Sequence, residues 1–133
     1  MRLIPDELWG ALTVWMEARG EPFDGKVAVA RVIRNRMAQH WYGRGDVIDI
    51  VLQPMQFSCW NSGDPNRRVA ARLDDTDPAW TDSLKAWQES AHTEGGVAGA
   101  TFYYNPSAVA KTPAWATPDK RVAIIGHHHF FAA

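Results

Sequence analysis

The sequence predicts an α+β fold, mainly helical, with a small β element near its C-terminal end. Three observations carry that prediction. Apolar residues recur at helical spacing in three long segments before Gly95-Gly96. Stop signals (Gly20, Pro22 and Gly95-Gly96) fall where those patterns end. Beyond Gly96, short runs rich in β-branched and aromatic residues replace the helical period.

In chain order, the first helix opens with Pro5, suited to a first turn, and Asp6 and Glu7, suited to its positive end. Leu8, Leu12, Trp15 and Met16 form its apolar stripe. Asp24-Gly25 leads into a second helix over 26–37, with Val29, Ile33 and Met37 on one face. Its valines also suit a strand, but length and the polar Arg31, Arg34, Asn35 and Arg36 favour the helix. Asn35 is expected as a core polar residue, the alternative being that it orients Glu17. Residues 40–45 read as a loop, and Asp46 caps a short helix over 47–52. Residues 55–61 suit an extended segment and 62–68 a polar turn region.

A third long helix is expected from the Asp77 cap and Pro78 to about His92, with the stripe Trp80, Leu84, Trp87 and Ala91. Residues 100–104 read as a strand closed by Asn105-Pro106, and 113–118 as a loop carrying Trp115. Residues 121–125 and 128–131 form a hairpin about Gly126-His127.

At 133 residues, one domain over 1–133 is expected, large enough to own a core. A net charge of -1, with no long basic run, argues against a nucleic-acid partner. The single cysteine, Cys59, excludes an intrachain disulfide. Apolar stretches are too short to insert in a membrane. The N-terminus runs straight into the first helix and shows no signal peptide, so synthesis in the cytoplasm is expected. Of the seven tryptophans, Trp9, Trp15, Trp80 and Trp87 lie on helical patterns and suit the core. Trp41, Trp60 and Trp115 lie in polar, Gly- or Pro-rich surroundings and are candidate platforms for flat ligand faces such as sugar rings.

Chemistry points first to Glu17. It falls in the last turn of the first helix, where the dipole is negative and apolar neighbours disfavour a charge. A carboxyl group that keeps its proton suits a general acid. A surface ion pair with Arg19 or Arg36 is the alternative reading. His127-His128-His129 makes a weak metal site, because on a strand His127 and His129 share a face while His128 points away. We therefore expect no metal and no cofactor, and one or two of these imidazoles hydrogen-bonding near a cleft. Cys59 and Ser58 lack the surroundings of nucleophiles. Glu21, Asp24, Asp46, Asp49 and Glu94 are further carboxylates, among which spacing does not select a partner for Glu17.

The run Glu17-Ala18-Arg19-Gly20-Glu21-Pro22-Phe23-Asp24-Gly25-Lys26-Val27-Ala28-Val29-Ala30 resembles the opening motif of cell-wall hydrolases of the SleB/CwlJ type. Val51-Leu52-Gln53-Pro54, Gln56-Phe57-Ser58, Ala100-Thr101-Phe102-Tyr103-Tyr104-Asn105-Pro106 and Ile125-Gly126-His127-His128-His129-Phe130-Phe131 continue the resemblance in order. The resemblance implies a lysozyme-like, lytic-transglycosylase-like domain acting on peptidoglycan glycan strands, with Glu17 as catalytic acid. The implied reaction cuts the bond from N-acetylmuramic acid to N-acetylglucosamine and leaves 1,6-anhydromuramic ends, with hydrolytic muramidase and a non-catalytic peptidoglycan-binding domain as alternatives. A metal-dependent amidase built on His127 and His129 is a further reading. Gln56, Phe57, Tyr103, Tyr104 and His129 are the candidates for lining the cleft, with Trp60 and Glu21 beside them; on a strand only one of Tyr103 and Tyr104 reaches substrate. Spore-type members are exported and often carry a wall-binding module, so a monomeric phage-type endolysin, released to the wall through a holin, is expected.

Overall fold

The computed structural model describes residues 5–40, 45–52 and 77–133. Helix α1 (Pro5–Ala18) carries Asp6 and Glu7 in its first turn and no basic residue in its last. Its buried face comprises Ala11, Val14, Trp15, Met16 and Ala18, with Leu12 half-buried. Leu8, expected on that stripe, is instead exposed. At Gly10 the helix meets α4 (Pro78–Glu89) so closely that a Cβ would stand 2.5 Å from the Trp87 ring. Only glycine permits that approach.

Helix α2 (Phe23–Ala38) touches α1, α4, the short α3 (Val47–Val51) and the sheet. Residues 25–30, Val32, Ile33, Asn35 and Arg36 are all buried, so the expected one-sided stripe extends nearly around the helix. Helix α3 starts on Asp46, whose Oδ1 accepts the Asp49 N–H at 2.9 Å. Helix α4 starts on Asp77, whose Oδ1 accepts the Ala79 N–H at 2.8 Å.

α4 ends at Glu89 rather than near His92, and the cause lies on α2. Arg34 donates through Nη2 to the Trp87 carbonyl (2.8 Å) and through Nε to Ser90 Oγ (2.7 Å). Arg31 donates through Nη1 to the Ser90 carbonyl at 2.8 Å. Guanidinium groups thus satisfy the orphan acceptors of the helix end and complement its negative pole. Asn35 behaves as the core polar residue expected of it. It accepts from Arg31 Nη2 (2.7 Å) and donates to the carbonyl of Ala100 (2.8 Å), tying α2 to the start of the sheet.

That sheet consists of β1 (Ala100–Tyr104), β2 (Arg121–Ile125) and β3 (His128–Ala132), all antiparallel, in the order β1-β3-β2. Tyr103 faces Phe130 across β1 and β3, Tyr104 faces His129, and Ile125 faces His128 across the hairpin. Phe130 joins the main core formed by the helices. Phe131 joins a second aromatic cluster with Phe102, Tyr104 and Trp115. Trp115 stacks on Phe102 with centroids 4.8 Å apart, so it is a packed side chain and not the exposed platform expected. Among the other tryptophans, Trp15, Trp80 and Trp87 are buried and Trp9 packs against the core. Trp41 and Trp60, with the expected extended segment 55–61 and the turn 62–68, lie outside the described residues. No helix among the described residues is long and apolar enough to cross a membrane.

Candidate active site

The connection between α1 and α2 roots two carboxylates. The Arg19 N–H still bonds the Trp15 carbonyl (3.1 Å), and the Glu21 N–H bonds the Ala18 carbonyl (2.9 Å). Pro22 then takes an extended conformation as the N-cap of α2. This tight turn fixes Glu17, in the last turn of α1, relative to Glu21 just beyond it. The Arg19 guanidinium lies over the Trp15 ring, 4.7 Å from its centroid, which stiffens the same corner.

Both carboxylates reach the sheet. The Tyr103 hydroxyl donates to Glu17 Oε2 at 3.1 Å, so β1 supplies a phenol to the carboxyl group of α1. Glu17 itself is half-buried. Glu21, its side chain only 7% exposed, closes on the β2–β3 turn. Its Oε1 accepts the His127 backbone N–H at 2.7 Å, and its Oε2 lies 2.6 Å from His127 Nδ1. The turn is built for this contact. Gly126 has φ +58°, and a Cβ there would stand 2.6 Å from Glu21 Oε1.

His128 bridges the two arrangements. Its ring packs edge-on to Tyr103, with centroids 4.9 Å apart and planes at 71°. Its Nδ1 stands 3.5 Å from Glu21 Oε1 and makes no hydrogen bond among the described residues. Burial pushes the His128 imidazole below its ordinary pKa; the Glu21 carboxylate pulls it up but does not prevail, and His127 adds to the depression. For Glu21, burial works against the charged form, but the side-chain and backbone hydrogen bonds from His127, with the charges of both histidines, hold the pKa below the usual carboxylate range. The surroundings thus favour the carboxylate form of Glu21 and the uncharged form of the buried His128.

The candidates expected from sequence divide accordingly. Glu17, Tyr103 and Glu21 come together at one end of the sheet. Tyr104 and His129, a cross-strand pair, lie on the opposite face, with ring centroids 6.0 Å apart and Trp115 edge-on to Tyr104. Gln56, Phe57 and Trp60 lie outside the described residues. Of the three histidines, the sequence reading expected one or two to hydrogen-bond near a cleft and chose His129 to line it; the structure instead brings His127 to Glu21 and His128 to Tyr103. Alternation read back from the buried Phe130 would have placed His128 on the inner face, whereas treating 127–129 as one strand obscured it. No group of three or more His, Cys, Asp or Glu among the described residues is arranged to hold a metal ion. Beside the hairpin, a groove of about 440 Å³ runs between Phe23, Asp24, Glu89 and Ile125, and its lining does not include Glu17.

Comparison with known proteins gives three findings. The sequence pattern of a family described as cell wall hydrolase matches residues 20–131, which includes Glu21, Tyr103 and the histidine run and begins just after Glu17. The spore cortex-lytic enzyme of Halalkalibacterium halodurans is 30% identical over 120 residues, covering 90% of this chain and 32% of that enzyme. That of Bacillus subtilis is 29% identical over 124 residues, covering 90% and 35%. The chain thus spans about a third of the length of these curated relatives. Among solved structures, the catalytic domain of the germination-specific lytic transglycosylase SleB from Bacillus anthracis superposes with a TM-score of 0.72 at 25% identity. That match covers 97% of this chain and 96% of the other, so the mainly helical body with its small sheet is the fold of that catalytic domain.

Proposed function

The chain belongs to the cell wall hydrolase family, and on that premise we propose that it cleaves peptidoglycan glycan strands as a lytic transglycosylase, with Glu17 as its general acid and base. The observation that carries this reading is the hydrogen bond from Tyr103 to Glu17 Oε2. It holds a half-buried carboxyl group at the junction of the helical body and the sheet.

Glu17 in its protonated form donates its proton to the glycosidic oxygen between N-acetylmuramic acid and N-acetylglucosamine as the bond to the anomeric carbon breaks. The resulting carboxylate accepts the proton of the muramic acid 6-hydroxyl. That oxygen closes on the anomeric carbon to give a 1,6-anhydro ring, and Glu17 regains its proton. Attack by an internal hydroxyl needs no ordered water and gains the advantage of intramolecularity. Tyr103 sets the orientation of the carboxyl group throughout.

Hydrolysis to a reducing end, as in a muramidase, calls for a second carboxylate about 5 Å away in a retaining enzyme or about 6.5–9.5 Å away in an inverting one. Glu21 is nearest in sequence, but its two oxygens are taken up by the His127 backbone and ring. This occupation favours transglycosylation. We take the acting unit to be a single chain, as light scattering of the purified protein would verify. The deciding experiment is mass spectrometry of soluble products from purified peptidoglycan, with wild type beside Glu17→Gln. Anhydromuropeptides from wild type alone are expected. Reducing-end muropeptides would replace this mechanism with hydrolysis, and undiminished products from Glu17→Gln would remove Glu17 from it.

A further inference from the structure

We propose that Glu21 is a positioning residue for the reaction, acting through the β2–β3 turn and Tyr103 to aim Glu17, and not a residue that touches substrate. The inference rests on the catalytic reading given above for Glu17.

Two anchors rise from one corner of the molecule. Glu17 and Glu21 leave the same tight turn, fixed by the bond from the Glu21 N–H to the Ala18 carbonyl. Each grips the sheet at a different place. Glu17 meets β1 through the Tyr103 hydroxyl (3.1 Å), and Glu21 meets the β2–β3 turn through the His127 N–H (2.7 Å) and Nδ1 (2.6 Å). The start of β1 is already held to α2 by Asn35 on the Ala100 carbonyl (2.8 Å) and Arg36 Nε on the Thr101 carbonyl (2.7 Å). The two-pronged, charge-assisted grip of Glu21 adds a fixed point at the other end of the sheet, at the β2–β3 turn, beside the Tyr103 end of β1. The turn is joined to Tyr103 by short steps. His127 leads directly into β3, His128 packs edge-on to Tyr103, and Phe130 pairs with Tyr103 in register. The Glu21 side chain is 93% buried by its own fold, with its oxygens spent on the protein. A side chain so committed is poorly placed to hold a sugar.

A double-mutant cycle separates positioning from substrate contact and from general stability. Wild type, Glu21→Gln, Tyr103→Phe and the double variant are compared by initial rates of peptidoglycan solubilisation, after thermal unfolding has shown each to be folded. Each single variant is expected to lower kcat about tenfold with KM little changed, as for a lost hydrogen bond to a charged group. The double variant is expected to be no slower than Tyr103→Phe alone, because Glu21 then has nothing to aim. A multiplicative loss of about a hundredfold in the double variant would overturn the proposal. So would a fall expressed in KM alone, which would make Glu21 a substrate contact. A loss of thermal stability with kcat unchanged would make it a structural clamp only.

Should Glu21→Gln fail to fold, His127→Ala takes its place in the cycle. It removes the ring contact of a side chain that is 69% exposed and keeps the backbone N–H. A smaller fall in kcat is expected, absent in the Tyr103→Phe background. One readout is independent of activity: the ring resonance of 13C-labelled Tyr103 should move in the Glu21 or His127 variant without substrate. No movement overturns the positioning inference, whereas a wild type that moves no glycan overturns the catalytic reading alone.

Discussion

Tyr103 and Tyr104 are consecutive and chemically identical, yet they belong to different parts of the molecule. Tyr103 turns inward, to Glu17, His128 and Phe130. Tyr104 turns to the second aromatic cluster, among Trp115, Phe131 and His129. One face of a three-stranded sheet supplies a phenol to a carboxyl group on a helix, and the other builds a small aromatic cluster of its own. The strand period of two separates the two tasks completely. The inner face should therefore be read by changes in rate and the outer face by changes in stability.

The largest break of this contrast is Glu17→Gln. It should lower turnover by about a thousandfold or more, the range for loss of a general acid–base group, with the unfolding temperature essentially unchanged. On the outer face, Trp115→Ala removes the ring that stacks on Phe102. It should cost about 3 kcal/mol in chemical denaturation and leave kcat of the folded fraction at the wild-type value. A drop in kcat there would mean that the outer face communicates with the site after all.

Gly126→Ala tests the corner where the faces meet. Positive φ and the close Glu21 oxygen should together cost about 2 kcal/mol, and activity should fall alongside stability because the turn is displaced from Glu21. The sharpest comparison is the smallest edit. Tyr103→Phe should slow the reaction about tenfold, whereas Tyr104→Phe should leave it within about twofold. Equal losses would erase the distinction between the faces.

The gentlest probe is pH. The folded protein holds His128 below its ordinary pKa, so the unfolded chain takes up that proton first as pH falls. Its contribution to stability is complete above about pH 6.5 and is lost as pH drops through the depressed value. Glu21 adds a second loss of the same sign at lower pH, beginning near the ordinary carboxylate pKa of 4.5 and continuing below it. Urea midpoints measured from pH 7 down to pH 4 should decline, and His128→Gln should flatten the upper part of that decline.

Much of this architecture was legible in the chain because it is written locally. The period of 3.6 marks α1, α2 and α4, and Asp46 and Asp77 announce their helices by caps that form as expected. Gly126-His127 announces the hairpin. What was not legible depends on partners distant in sequence. α4 ends where arginines on α2 take the Trp87 and Ser90 carbonyls, and nothing within 78–92 announces those partners. Leu8 sits on the helical stripe, yet it stands exposed, with no element among the described residues covering it. At the site, Glu17 could be singled out from its place at a helix end. Alternation showed that Tyr103 and Tyr104 diverge, but choosing the inward one needs the parity set by Phe130 in the core. Glu21 was visible as a carboxylate, but its grip on His127 spans 106 positions of chain.

The strand order has a consequence for how the proposed site is assembled. β1 and β2 do not bond each other; each pairs only with β3, the last strand. Without β3, β1 has no paired strand and is held only at its start by α2, and the turn that Glu21 grips does not exist. The helical body closes over long range, through α1 and α2 packing on α4, whereas β2 and β3 are neighbours in the chain and only β1 joins the sheet from a distance. Both carboxylate contacts of the site therefore depend on the central strand, which carries neither Tyr103 nor Glu17 itself. Without β3, Glu17 and Glu21 would stand on their helical corner with neither sheet contact fixed.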